Sequence, residues 1–236
     1  MNISMKRIQA IFMKDYKEFS RNYAISIMVF MPFILALFYN KMGINTIDAY
    51  FMTINLTLAM VTAFIQSCLI AEEKESNTLR SLMMSPASIA DILIGKSSLV
   101  FSISAIVLAL TVYLLGYKPA NVLVLALALA VSIVFYIAVG TICGLFTKTV
   151  MEASVATLPV LVIFSFGPMV LGLSEKYPIA GIAEWLPSAQ LILLAEGLET
   201  AMPAKEVFIS FAVMIGWTIA AVAIASILYK KRMTDD

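Results

Sequence analysis

The chain has 236 residues, 61% of them hydrophobic and 13% charged, with a net charge of +1 and no histidine. Soluble domains average about half apolar and a quarter charged residues, so this composition points to a membrane protein whose first partner is the lipid bilayer. The small net charge excludes a basic nucleic-acid platform, and the lack of His removes the usual proton switch near neutral pH and the commonest metal ligand.

Residues 1–23 come first. Met5, Ile8, Ile11, Phe12, Tyr16 and Phe19 recur at helical spacing, with Lys14, Lys17 and Arg21 elsewhere on the turn. This pattern predicts an amphipathic helix suited to the membrane surface, either as an anchor or with a further contact to a cytoplasmic partner. The segment is too charged for a signal peptide, and the apolar run after it lacks a cleavage site, so it is expected to be retained.

Six apolar runs follow, 24–40, 49–71, 97–117, 122–146, 153–173 and 207–229, and none contains Asp, Glu, Lys or Arg. Each is long enough to span hydrocarbon about 30 Å thick, which takes roughly 17–25 residues. A mid-membrane charge costs about 2.5–3.5 kcal/mol, against about 0.3–0.6 kcal/mol gained per Leu or Ile, so charge-free runs of this length predict six transmembrane helices. The two tails and the second and fourth loops carry twelve of the sixteen cations. That bias places both termini, and loop 72–96, in the cytoplasm.

Within the second run, Asn55, Ala59, Thr62 and Gln66 recur at i, i+4, i+7 and i+11 and predict one small, polar stripe. Such groups need partners in hydrocarbon, from interhelical hydrogen bonds or from the wall of a translocation path. Loop 72–96 gathers four carboxylates, two lysines and an arginine. Asn77 or Thr78 caps a short helix there, with Leu79, Leu82 and Met83 on one face and Ser85-Pro86 ending it. Two turns are unstable alone, so this helix needs support from headgroups or from a groove in a soluble subunit. Ser88 and Asp91 then start a helix that runs through Gly95-Lys96 into the third span.

In the fourth run, Gly140 and Gly144 form a GxxxG suited to close helix packing. Cys68 and Cys143 lie in apolar runs and are expected to be buried small hydrophobes. Phe166-Gly167-Pro168 predicts a break in the fifth span. The outer loop 174–206 carries Trp185-Leu186-Pro187-Ser188 and a short apolar stretch, predicted to be re-entrant or interfacial, with Tyr177 and Trp185 at headgroup depth. Its five carboxylates outnumber its two lysines, which suits a solvated loop or a mildly anionic vestibule.

No span holds an ionisable group for gradient-driven transport, and no P-loop occurs anywhere in the chain. Uphill movement would require ATP hydrolysis by another subunit. At this point the residues reach a resemblance. Glu72-Glu73-Lys74-Glu75, Thr78-Leu79, Leu82, Ser85-Pro86 and Gly95-Lys96 resemble the cytoplasmic loop of bacterial ABC-transporter permeases of the type-two exporter family, including multidrug and antimicrobial-peptide export permeases. Asn77 stands where Gly is common, and Arg80 where Glu is common.

The resemblance implies an all-α integral membrane permease with an elbow helix, six spans, a coupling helix and a re-entrant outer loop, forming one domain in a bacterial cytoplasmic membrane. It implies a second permease subunit, identical or different, and two ABC ATPase subunits that bind ATP and Mg, with no cofactor on this chain. It further implies that Glu73, Glu75, Thr78, Leu79, Leu82, Met83, Phe12 and Tyr16 contact the ATPase, and that Asn55, Thr62 and Gln66 line the translocation path. The leading expectation is export of a drug, a cytotoxic peptide or a lipid-linked molecule. A non-transporting sensor or immunity protein is the alternative; a membrane enzyme is third, because no acid, base, nucleophile or metal-ligand set converges.

Overall fold

A computed structural model describes residues 4–76, 88–173, 178–200 and 203–235. Those residues are almost entirely helical, and no strand occurs among them. The elbow helix runs Met5–Arg21 and ends at Asn22. A first apolar helix, Ile27–Met42, begins with a 3-10 turn over Ile27–Phe30 and ends at Gly43, whose left-handed φ of 67° suits a residue without Cβ. Five further helices are long and apolar enough to cross a membrane: Ile47–Glu75, Ala90–Leu115, Val122–Phe146, Val150–Leu171 and Ala204–Lys231. We call these spans two to six. The chain is thus an all-α membrane protein, with five full-length spans and one shorter apolar helix among the described residues.

Side-chain caps start several of these helices, as the local sequence dictates. Thr46, Asn121 and Thr149 accept backbone N–H bonds at spans two, four and five. Ser88 and Asp91 form a reciprocal capping box at span three.

Span two is the axis of the bundle, with 83% of its most apolar window buried, whereas span six is only 17% buried and turns most of its surface outward. Gly140 and Gly144 let span four lie directly on span two. A Cβ on Gly144 would stand 2.7 Å from the Ser67 carbonyl oxygen and 2.7 Å from Ile70 Cβ, and one on Gly140 would strike the Ala63 carbonyl. The GxxxG therefore works within the chain, as a close-packing surface. Phe135 links spans four, five and six through edge-on rings, at 5.3 Å from Phe164 and 6.2 Å from Trp217.

Spans two and five are both irregular. Span two widens to a π-helix over Leu58–Ala63. Span five passes from helix Val150–Ala156 through a short helix at Pro159 into a π-helix at Val162–Phe166, then a 3-10 helix from Gly167. The break falls where Gly167-Pro168 forecast it, with a second interruption at the earlier proline. Beyond it, helix Pro187–Glu199, called the outer helix after the loop 174–206 that holds it, inserts among the spans: Ser188, Ala189, Leu191 and Leu194 are buried, and the Ser188 carbonyl accepts a hydrogen bond from Asn55. Trp217 Nε1 donates to the Trp185 carbonyl at 2.7 Å and ties this segment to span six.

Candidate functional site

The charged residues that flank loop 72–96 do not simply face water. Glu73 is 1% exposed and Lys96 is 1% exposed, and the Lys96 ammonium lies 2.7 Å from Glu73 Oε1. Lys14 of the elbow donates to the same Oε1 at 2.6 Å. Asp15, fully buried on the elbow, lies 3.4 Å from Lys96, while Lys14 is 3.3 Å from Glu18. Two lysines thus serve three carboxylates, whose oxygens lie within 4.8 Å of one another. Burial pushes the Asp15 carboxyl up to about 6, against the pull of Lys96. Burial alone would lower the Lys14 pKa, yet Glu73 holds it above its ordinary value.

The backbone makes this approach possible. Gly95 stands one residue before Lys96, and a Cβ there would come within 2.9 Å of Ile11 and 3.3 Å of the Ile8 carbonyl oxygen on the elbow. One turn earlier, Asp91 accepts the Ser4 backbone N–H at 2.9 Å and pairs with Arg7 at 3.1 Å. Beneath the ion pairs, Ile11, Ile70, Ile92, Leu145 and Tyr229 form a small apolar cluster. The elbow and spans two, three, four and six therefore meet at one junction.

Neighbouring loop residues extend it. The Lys74 ammonium donates to the Leu145 carbonyl at 2.8 Å and also to that of Thr147, capping the carboxyl end of span four. Glu75 accepts the Val150 N–H at 2.9 Å, at the amino end of span five. Loop 72–96 thus leaves from, and returns to, residues fastened to the elbow and to every span except the first.

The residues expected to contact a partner divide accordingly. Glu73 is turned inward and engaged by two lysines, so in this arrangement it holds the elbow. Glu75 is exposed while bonded to span five. Phe12 leans on the main apolar core, and Tyr16 is 51% exposed. Thr78, Leu79, Leu82 and Met83 lie outside the described residues.

Each residue of the polar stripe bonds to a different neighbour. Asn55 donates to the outer helix at Ser188, Thr62 to Ser104 of span three at 2.8 Å, and Gln66 to Thr141 of span four at 3.0 Å. All three are 0–1% exposed. The π-helix at Leu58–Ala63 lies between Asn55 and Gln66 and changes the rotation from one to the other relative to a regular α-helix. Sequence reasoning missed Asp15 and Lys96. The available signal was Asp15 itself, which shares the buried face of the elbow with Ile8, Ile11 and Phe19 and so demands a buried cation.

The sequence model of the ABC-2 type transporter family matches residues 6–192, from the elbow into the buried outer helix. The chain belongs to this family. It is a permease component of an ABC transporter, and the family implies an ATPase partner. Among curated proteins no relative matches.

Proposed function

We propose that this ABC-2 type permease is the membrane subunit of an ATP-driven exporter that moves hydrophobic or amphipathic cargo out of the cell. Two permease chains pair with two separately encoded ATPase subunits, and both chain termini face the cytoplasm, as the distribution of cations favours. The segment of loop 72–96 that carries Thr78, Leu79, Leu82 and Met83 docks on the ATPase, joined by Glu75 and the elbow's Tyr16. ATP and Mg stay on that partner, and this chain performs no chemistry.

The observation that carries this reading is the junction. A force applied to the loop meets the Glu73–Lys96–Asp15 ion pairs, the Lys74 cap on span four and the Glu75 bond to span five. Closure of the ATPase pair would push the loop, and the junction would pass that displacement to the elbow and spans together rather than to one helix. Spans two and five, each broken by a π-helix, are the elements best suited to rearrange, and we assign the path to their surroundings. Asn55, Thr62 and Gln66 then act by joining span two to its neighbours, and their bonds exchange partners when the path opens.

The test is uptake of labelled cargo candidates into inside-out vesicles that contain the permease and its ATPase. ATP-dependent accumulation is expected. Accumulation that is independent of ATP, or confined to right-side-out vesicles, would refute the exporter and favour a non-transporting or importing role.

A further inference from the structure

At the end of the bundle opposite the elbow, spans two and five and the outer helix enclose a cavity of about 370 Å³. Met52, Met169 and Ile192 supply apolar wall, and two carboxylates, Asp48 and Glu196, stand at it. The third polar side chain on its lining is Ser165, which is 1% exposed and whose Oγ has no hydrogen-bond partner among the described residues. Buried hydroxyls are nearly always bonded, so an orphan at a cavity wall marks a place where a ligand atom can be received. Ser165 sits in the π-helix of span five, a distortion frequent at functional sites.

The two acids come from different elements, Asp48 from the first turn of span two and Glu196 from the outer helix. Neither forms an ion pair among the described residues. Burial first, and then the charges of Asp48 and Glu199, raise the Glu196 pKa, so the acids share one negative field. No cation pairs with either acid among the described residues, and flexible, polarisable methionines stand beside them, a combination that suits a soft cationic group. The volume lies at the small end of ligand pockets, which span roughly 300–1,000 Å³.

We propose that this cavity is a binding site for a small lipophilic cation, held by Asp48 and Glu196, packed on Met52 and Met169, with Ser165 receiving a polar atom where the ligand has one. The inference rests on the exporter reading and names its cargo class. Apolar walls bind the hydrocarbon, and the acid pair rejects anions of the same shape.

Tetraphenylphosphonium and tetraphenylborate are nearly isosteric and opposite in charge, and serve as probes. Equilibrium dialysis with the full chain in detergent, without ATP, should show saturable binding of the cation and none of the anion. Asp48→Asn and Glu196→Gln should each weaken cation binding about tenfold, and more in combination. Equal binding of both probes, or undiminished cation binding by the double variant, would overturn the site. Should the double variant fail to fold, alkylation of Met169→Cys in a background lacking Cys68 and Cys143 gives a second readout. The cation should slow that alkylation and the anion should not; equal rates would also overturn the proposal. ATP-driven export with carboxylate-independent binding would remove this site and leave the exporter. Carboxylate-dependent binding without ATP-driven export would support the site and remove the exporter.

Discussion

Replacing Lys96 with methionine tests the junction most severely. The ammonium is 1% exposed and lies 2.7 Å from Glu73 and 3.4 Å from Asp15. Methionine keeps most of the stem and removes the charge, leaving two buried carboxylates with Lys14, which is 2.6 Å from Glu73 but 3.9 Å from Asp15. Breaking a buried pair by deleting one partner costs about 3–5 kcal/mol, because the surviving charge stays desolvated. At about 2–4 °C per kcal/mol for a chain of this size, the low end of that cost lowers Tm by roughly 6–12 °C. Adding Asp15→Asn to the variant leaves one lysine facing Glu73, and should restore about half of the loss. Thermal unfolding in detergent, followed by size-exclusion recovery, measures both variants. A single variant within about 2 °C of wild type would refute the buried-pair reasoning, as would a double variant no better than the single.

The Asp15 carboxyl is raised to about 6 in the folded chain from an ordinary value near 3.8, so the folded state holds its proton more tightly. Its contribution to stability is present at low pH and is lost as pH rises through 6. Wild type should therefore gain about 1 kcal/mol relative to Asp15→Asn between pH 7 and pH 5, read as the difference of their Tm shifts; identical shifts would contradict this. Gly144→Ala should destabilise by about 1–3 kcal/mol, because the new methyl meets the Ser67 carbonyl and Ile70. Gly216→Ala meets nothing within 4 Å and should be neutral or stabilising by up to about 1 kcal/mol, so similar Tm changes in the two would undo the packing account. Thr62→Val leaves the Ser104 hydroxyl without its 2.8 Å donor and should cost about 1–3 kcal/mol, with Ser104→Ala restoring part of it in the double variant. Strict additivity of the two changes would deny the bond.

Much of the membrane architecture was legible because hydrocarbon imposes a simple rule on sequence. Charge-free runs marked the helices, the spacing of Ile8, Ile11 and Phe19 marked the elbow, and Gly167-Pro168 marked a break. Gly140 and Gly144 were legible for the same reason, since two small residues one turn apart permit one kind of contact. The junction was hidden because its charges come from three distant places, residues 14–18, 73 and 96. Read locally, Glu73 belongs to a polar loop and invites a soluble partner; folded, it is the centre of a buried network. The stripe of Asn55, Thr62 and Gln66 was legible as polar groups in need of partners, but the partners themselves were not. The spacing assumed 3.6 residues per turn, whereas span two contains a π-helix, and each of the three residues bonds to a separate neighbour.

The most direct test of the central claim is ATP hydrolysis by the partner ATPase reconstituted in proteoliposomes with this permease, comparing wild type with Leu82→Asp. Wild type should stimulate hydrolysis, while the variant inserts normally and leaves the rate at that of the ATPase alone. Full stimulation by the Leu82→Asp chain would contradict it.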